Sequence, residues 1–305
     1  MLEILKISPK GIKTIPKIEE NCWINAIQPT EDEIGKLRKI IDIPDEILAS
    51  LKDIDEVPTV EEYPSYSFII IRTPYNHPKS DLTYVTNPLG IFLHDRFVLT
   101  ICYEKNDVVD KLKTTPFNFK KSQFVLRLLL KSSRIFLTYL KEIHKKMIAC
   151  EEQLEVSQKN KVVMMFLELQ KSLVYFDTSL KSNYILVEKL LKNKRLLKHK
   201  ENTMFMDSIV EETKQGIQMT EVYSNILSNT LDAFASIISN NLNIVMKTLT
   251  SLTLIFNIPI LISSIYGMNV DLPYERFPYA FSFIMSFSLI MSIIAVYIFV
   301  RKRYF

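Results

Sequence analysis

The chain has 305 residues, with 38 Lys and Arg against 34 Asp and Glu, a formal net charge of +4. So small an excess, with no basic stripe interleaved with aromatics, excludes nucleic acid as an electrostatic partner. Only five glycines leave no nucleotide-cradling loop. Cys22, Cys102 and Cys150 are isolated, with neither zinc spacing nor a disulfide framework, which suits a reducing compartment.

A mean hydropathy of +0.09 averages a charged front and an apolar tail. Met1–Ser8 is too short, and too interrupted by Glu3 and Lys6, to be an apolar signal segment. Residues 1 to about 115 read as mixed α/β, with strands expected at Leu2–Ile7, Cys22–Ile27, Tyr66–Arg72, Gly90–Leu93 and Phe97–Tyr103. His94-Asp95-Arg96 joins the last two as a hairpin. Thr30-Glu31-Asp32-Glu33 is a capping box that starts one helix, and Pro44-Asp45-Glu46 starts another. Pro58, Pro64, Pro74, Pro78 and Pro88 read as loop punctuation. The four histidines (His77, His94, His144, His199) are scattered, and no nucleophile elbow or His/Asp/Ser grouping is present, so the chain is not expected to be an enzyme.

From about Lys120 the apolar residues recur every three or four positions, the helical period. Helices are expected over Lys121–Ser157 and Lys161–Lys200, paired as an antiparallel hairpin. The charged run Lys189–Lys200 reads as a solvated helix face, or as a basic surface near anionic lipid. A third helix begins after Asn202-Thr203 and meets no proline before Pro259, about 55 residues or roughly 80 Å at 1.5 Å each. The domain plan is then an α+β part with a mixed sheet flanked by helices (1–202), a stalk helix (203–247), and two C-terminal spans (248–268 and 277–300) joined by a loop (269–276). A basic tail follows at 301–305.

The first span has 23 uncharged residues between Lys247 and Asp271, enough to cross about 30 Å of hydrocarbon. It also carries a stripe. Steps of seven give Ser236, Asn243, Thr250, Asn257 and Ser264, and a companion row gives Ser239, Met246, Thr253 and Ile260. These are the a and d positions of a heptad, one narrow face. Polar groups in lipid are stable only against another helix or around water, so the stripe reads either as helix packing or as a pore lining. On the second reading Leu252, Ile255, Phe256 and Ile262 turn outward, Met246 and Leu249 form an apolar constriction, and Asp232 faces the axis. Tyr266-Gly267-Met268-Asn269 closes the helix, the glycine letting the backbone turn out of it. Lys247 before the first span and Arg301, Lys302 and Arg303 after the second place both termini in the cytoplasm and Asn269 outside.

Tyr266-Gly267-Met268-Asn269, at the end of the penultimate span with one span and a basic tail after it, resembles the CorA family of magnesium and cobalt transport proteins. The resemblance extends to Asn240–Lys247, Asp232-Ala233-Phe234, Cys22-Trp23-Ile24-Asn25, Asp55-Glu56-Val57-Pro58 and Pro88-Leu89-Gly90-Ile91, and so covers essentially the whole chain. It implies a homopentameric channel for Mg²⁺ in the plasma membrane, which also passes Co²⁺ or Ni²⁺ and is driven by the membrane potential. Its selectivity filter would be Tyr266, Gly267, Met268 and Asn269, with Asn269 and Gly267 as the metal-facing groups. Asn243, Met246, Leu249, Thr250, Thr253, Asn257 and Ser264 would line the pore. The resemblance also places a regulatory Mg²⁺ at Asp207, shared between subunits, and acidic residues (Asp271, Glu275) in the outer loop. Asn257 and Pro259 depart from the family pattern, which leaves the lining above Thr253 at either of two adjacent registers. The competing readings are a zinc or transition-metal transporter of the same superfamily, whose motif varies at the position of Met268, and a non-conducting membrane-anchored sensor or scaffold.

Overall fold

The computed structural model describes residues 1–77, 83–114, 116–156, 160–192, 200–270, 273 and 278–302. The chain divides into two compact units, Met1–Asn229 and Thr230–Phe305.

The first unit is built on a seven-stranded mixed sheet. Its strands are β1 (Leu2–Ser8), β2 (Gly11–Thr14), β3 (Cys22–Ile27), β4 (Thr59–Glu62), β5 (Tyr66–Asn76), β6 (Tyr84–His94) and β7 (Phe97–Cys102). They lie in the order β2-β1-β3-β7-β6-β5-β4, and every pairing is antiparallel except β3 with β7. The alternation of side chains along a strand assigns the two faces. Cys22, Ile24, Ala26, Phe68, Ile70, Phe92, Phe97, Leu99 and Ile101 form one core with α1 (Glu31–Arg38) and α2 (Asp45–Lys52). The intervening residues face the other way, where Trp23 meets Phe124 of α4 (Lys121–Val156), ring centroids 5.0 Å apart. Phe136 of α4 stands edge-on to Phe176 of α5 (Asn160–Leu191) at 5.0 Å, which pins those two long helices together. A short α3 (Asp107–Lys113), capped by Asn106 through its bonds from the Val108 and Val109 amides, leads from the sheet into α4.

The expected capping box is present: Thr30 Oγ1 accepts from the Glu33 amide and Glu33 Oε2 from the Thr30 amide. The β6–β7 hairpin also forms, closed at His94 by a bond from the Arg96 amide. Pro74 and Pro88 lie inside strands rather than in loops. β5 runs four residues and β6 seven residues further than their sequences suggest, with Pro74 opposite Thr86 and Pro88 opposite Arg72. Proline is tolerated there because β7 pairs β6 only from Gly90 onward and β4 pairs β5 only as far as Ile70, so the missing N–H falls on an open edge. β2 and β4, too short and polar to read as strands, add the two sheet edges. Gly90 has a packing role: a Cβ there would sit 2.7 Å from the Leu51 methyls of α2.

Helix α6 (Lys200–Tyr266) is one 67-residue element with Pro259 inside it, and α7 (Ala280–Arg301) follows. Both are long and apolar enough to cross a membrane. The run 193–199, the loop acids Asp271 and Glu275, Phe277 at the expected start of the second span, and Arg303 lie outside the described residues.

Candidate functional site: a polar helix face ending at Gly267-Met268-Asn269

The spans expose their apolar side chains. Leu252, Leu254, Phe256, Leu261, Phe281, Phe287, Ile290 and Val300 are each exposed by 40% or more. That is the reverse of the first unit, where residues of the same kind are almost fully buried, and it is stable only with hydrocarbon outside.

Burial also shows which faces of α6 and α7 meet. On α6 the covered residues of the span are Thr248, Ser251, Ile255, Ile258, Pro259 and Ile262, and on α7 they are Ala280, Ile284, Ser288, Ser292, Ala295 and Phe299. Each row has helical spacing, and the most buried members are serines, Ser251 at 1% and Ser288 at 5% exposure. Small residues let two helices approach closely where lipid gives no hydrophobic drive between them. Ile255 and Ile262 turn toward α7, on the side away from the stripe, while Leu252 and Phe256 are exposed. On α7 the small residues Ala280, Ser288, Ser292 and Ala295 mark the covered face, and their spacing was the available signal.

The stripe lies elsewhere. Asn243, Met246, Leu249, Thr250, Thr253, Asn257 and Ser264 are all exposed, as are Ser236, Ser239 and Ile260. At 100° per residue the stripe lies roughly 140° around α6 from the row that faces α7. Packing on α7 therefore does not account for it. Beside Pro259 a shallow groove brings Asn257 and Ser264 together with Leu254, Ile258, Ile260 and Leu261.

The threonines have a definite polarity. Thr250 Oγ1 donates to the Met246 carbonyl (2.8 Å) and Thr253 Oγ1 to that of Leu249 (2.9 Å). A hydroxyl has one proton and two lone pairs, so each presents only acceptor capacity outward. An acceptor-lined face suits a cation that keeps its water, because those waters need acceptors for their protons.

At the end of α6 the Gly267 amide bonds the Ser263 carbonyl (2.9 Å) and the Met268 amide that of Ile265 (3.3 Å). Gly267 is not in the left-handed conformation: among the described residues only Gly11, Asn21 and Gln28 have positive φ. The helix ends by tightening its last turn instead. The glycine leaves carbonyls open, since a Cβ at 267 would lie 3.3 Å from the Ser263 oxygen and 3.7 Å from that of Ser264. Tyr266, Met268 and Asn269 are exposed, with no hydrogen bond made by the Asn269 amide among the described residues.

Asp207 is exposed on α6, and Asp232 is exposed in line with the stripe. Among the described residues no three His, Cys, Asp or Glu side chains gather as a metal site. One chain alone thus does not fit a resident divalent ion at Asp207.

The family model described as CorA-like Mg²⁺ transporter protein matches residues 19–303. The chain belongs to that family. The cobalt/magnesium transport protein CorA of Methanocaldococcus jannaschii is 31% identical, with 99% of each chain covered. The complete structure of the CorA magnesium transporter from the same organism superposes with a TM-score of 0.86 at 27% identity, over 100% of this chain and 99% of the other. The cytoplasmic domain of ZntB from Vibrio parahaemolyticus shares the fold, with a TM-score of 0.62 at 11% identity over 78% of this chain and 98% of that one. These likenesses account for the mixed sheet, the long helix and the C-terminal apolar helix as one CorA architecture.

Proposed function

We propose that this CorA-family chain assembles as a homopentameric channel that admits hydrated Mg²⁺, with Co²⁺ or Ni²⁺ as further cargo, down the membrane potential. The observation that carries the reading is the polar face of α6, turned away from α7 and ending at Gly267-Met268-Asn269. An unpaired amide facing lipid costs several kcal/mol, so Asn257 needs water or another copy of the helix. A ring of copies around an axis supplies both.

Mg²⁺ prefers octahedral oxygen and releases its water reluctantly. A channel that stripped it would need a dense carboxylate cage, and residues 248–270 contain no acid. A ring of Asn269 amide oxygens, completed by backbone carbonyls at Gly267, instead accepts hydrogen bonds from the bound waters and selects by the size and charge of the hydrated ion. Thr253 and Thr250, with their protons held by α6, continue the acceptor path inward to Asn243. Met246 and Leu249 narrow it with apolar surface that closes by dewetting. The potential supplies about 4.6 kcal/mol per 100 mV for a divalent ion, so no ATP is required. Asp207 belongs to this reading only as one ligand of a site shared between subunits, and no gating step is derived from it.

The test is Mg²⁺ influx into liposomes at an inside-negative potential. Wild type is expected to conduct, and Asn269→Ala is expected to lose most of the flux with its oligomer intact. Zn²⁺ uptake driven by a proton gradient, with Mg²⁺ ignored, would move the protein to the transition-metal reading. A well-assembled oligomer that passes no ion would leave a scaffold.

A further inference from the structure

The first unit holds a concave site that the transport reading does not use. Where α3, α4 and the start of α6 meet, a cavity of about 150 Å³ has Leu112 and Leu130 as its floor and Arg127, Lys131 and Arg134 on its wall. These three cations are at i, i+4 and i+7, so α4 presents them on one face. Phe117 and Phe205 flank Arg127: its guanidinium lies 4.9 Å from the centroid of each ring. Two cation–π contacts restrain the group and hold its charge at the cavity.

Among the described residues the charge there is only partly balanced. Arg134 donates to Glu212 of α6 at 2.9 Å. Arg127 and Lys131 have no carboxylate partner among the described residues. The Arg127 Nε is hidden from solvent and meets no acceptor there. A basic helix face in ordinary use keeps its charged ends in water. Here Arg127 and Lys131 line a cavity instead, where their charge can meet an anion that enters it.

We propose that this corner binds a phosphate group. The two cations left over match a dianion, and a monocarboxylate would neutralise only one. The arginine fork and the lysine point charge are the usual pair for phosphate oxygens. The cavity holds about five waters' worth of liquid volume, room for one tetrahedral oxyanion and no more than the head of a larger ligand. The chemistry is common to free phosphate, a nucleotide and a phospholipid headgroup. Occupancy would be felt on α6, because the ligand shares Arg134 with Glu212 and touches the Phe205 end of that helix.

The experiment uses the full chain in neutral detergent with EDTA, so that the transported cation cannot complex the ligand. Unfolding temperature is followed against potassium phosphate, ATP and dioctanoyl phosphatidate, with potassium chloride at matched ionic strength as reference. A saturable rise is expected in wild type and in Lys181→Gln, a surface control. Lys131→Gln, half-exposed and compatible with folding, is expected to bind about tenfold more weakly, the worth of one charged contact. Arg127→Met is expected to lose the response. The probe with the lowest midpoint identifies the source of the phosphate. Absence of saturation up to about 10 mM, an equal response to chloride, or a midpoint unchanged in Lys131→Gln would each overturn the assignment. Ion flux does not enter this readout, so failure of the transport reading would leave the result standing.

Discussion

Trp23 is the only tryptophan and is fully buried at the centre of the first unit. Its indole N–H donates to Thr100 Oγ1 at 2.8 Å, and Thr100 donates in turn to Asn25 Oδ1 at 2.9 Å. All three are buried, and Asn25 Nδ2 carries the chain on to Glu3 Oε2 at 3.4 Å. Thr100→Val keeps the volume and removes the hydroxyl, which leaves a donor on Trp23 and an acceptor on Asn25 unmet. Each orphan costs about 1–3 kcal/mol. We expect an unfolding temperature lower by several degrees, with Trp23 fluorescence reporting the transition at its own site. At this scale the sequence was partly readable. Thr30 and Glu33 could be paired by spacing alone, because a capping box is local. The Trp23–Thr100 bond could not, because 77 positions separate its partners and only the parallel pairing of β3 with β7, which sets Trp23 beside Val98 and Asn25 beside Thr100, brings them within reach.

Elements were readable where their periodicity is strong. The heptad row of α6 is written in the sequence, and its seven proposed lining residues are exposed as a face opposite α7. What sequence did not tell was which other face α7 covers, since Ile255 and Ile262 look as lipid-facing as Leu252 and Phe256. The strands through Pro74 and Pro88 were hidden for a related reason: proline signals a loop unless the neighbouring strand is known to stop short. The α6–α7 seam yields a test. Ser288 is buried on α7 with its neighbour Ser292 bonded back to its carbonyl at 3.0 Å. Ser288→Ala removes one hydroxyl and keeps close approach, so little change is expected. Ser288→Leu inserts a side chain where two helices touch, an overpacking of about 1–3 kcal/mol. Thermal unfolding in detergent should separate the two variants, and the exposed Phe287→Leu should behave as wild type. Equal loss in Ser288→Leu and Phe287→Leu would mean that the seam lies on another face.

At the scale of the molecule, the distribution of charge and exposure sets an orientation that can be measured. Lys247 precedes the first span, and Arg301 and Lys302 end the second, so positive charge flanks the same side of both. If that side is cytoplasmic, Val270, just past Asn269, is outside and Lys10, on an exposed turn of the first unit, is inside. The native cysteines do not interfere with a thiol label. Cys22, Cys102 and Cys150 are free and buried, and burial raises each thiol, Cys102 to about 12, which keeps it protonated and unreactive. Wild-type cells should therefore give almost no signal with a membrane-impermeant maleimide. Val270→Cys should label in intact cells, and Lys10→Cys only after permeabilisation. The reverse pattern would invert the protein and put Asn269 at the inner end of the path, where it could not select the entering ion. Labelling of both in intact cells would mean that α6 does not cross the membrane between them and would overturn the proposed channel.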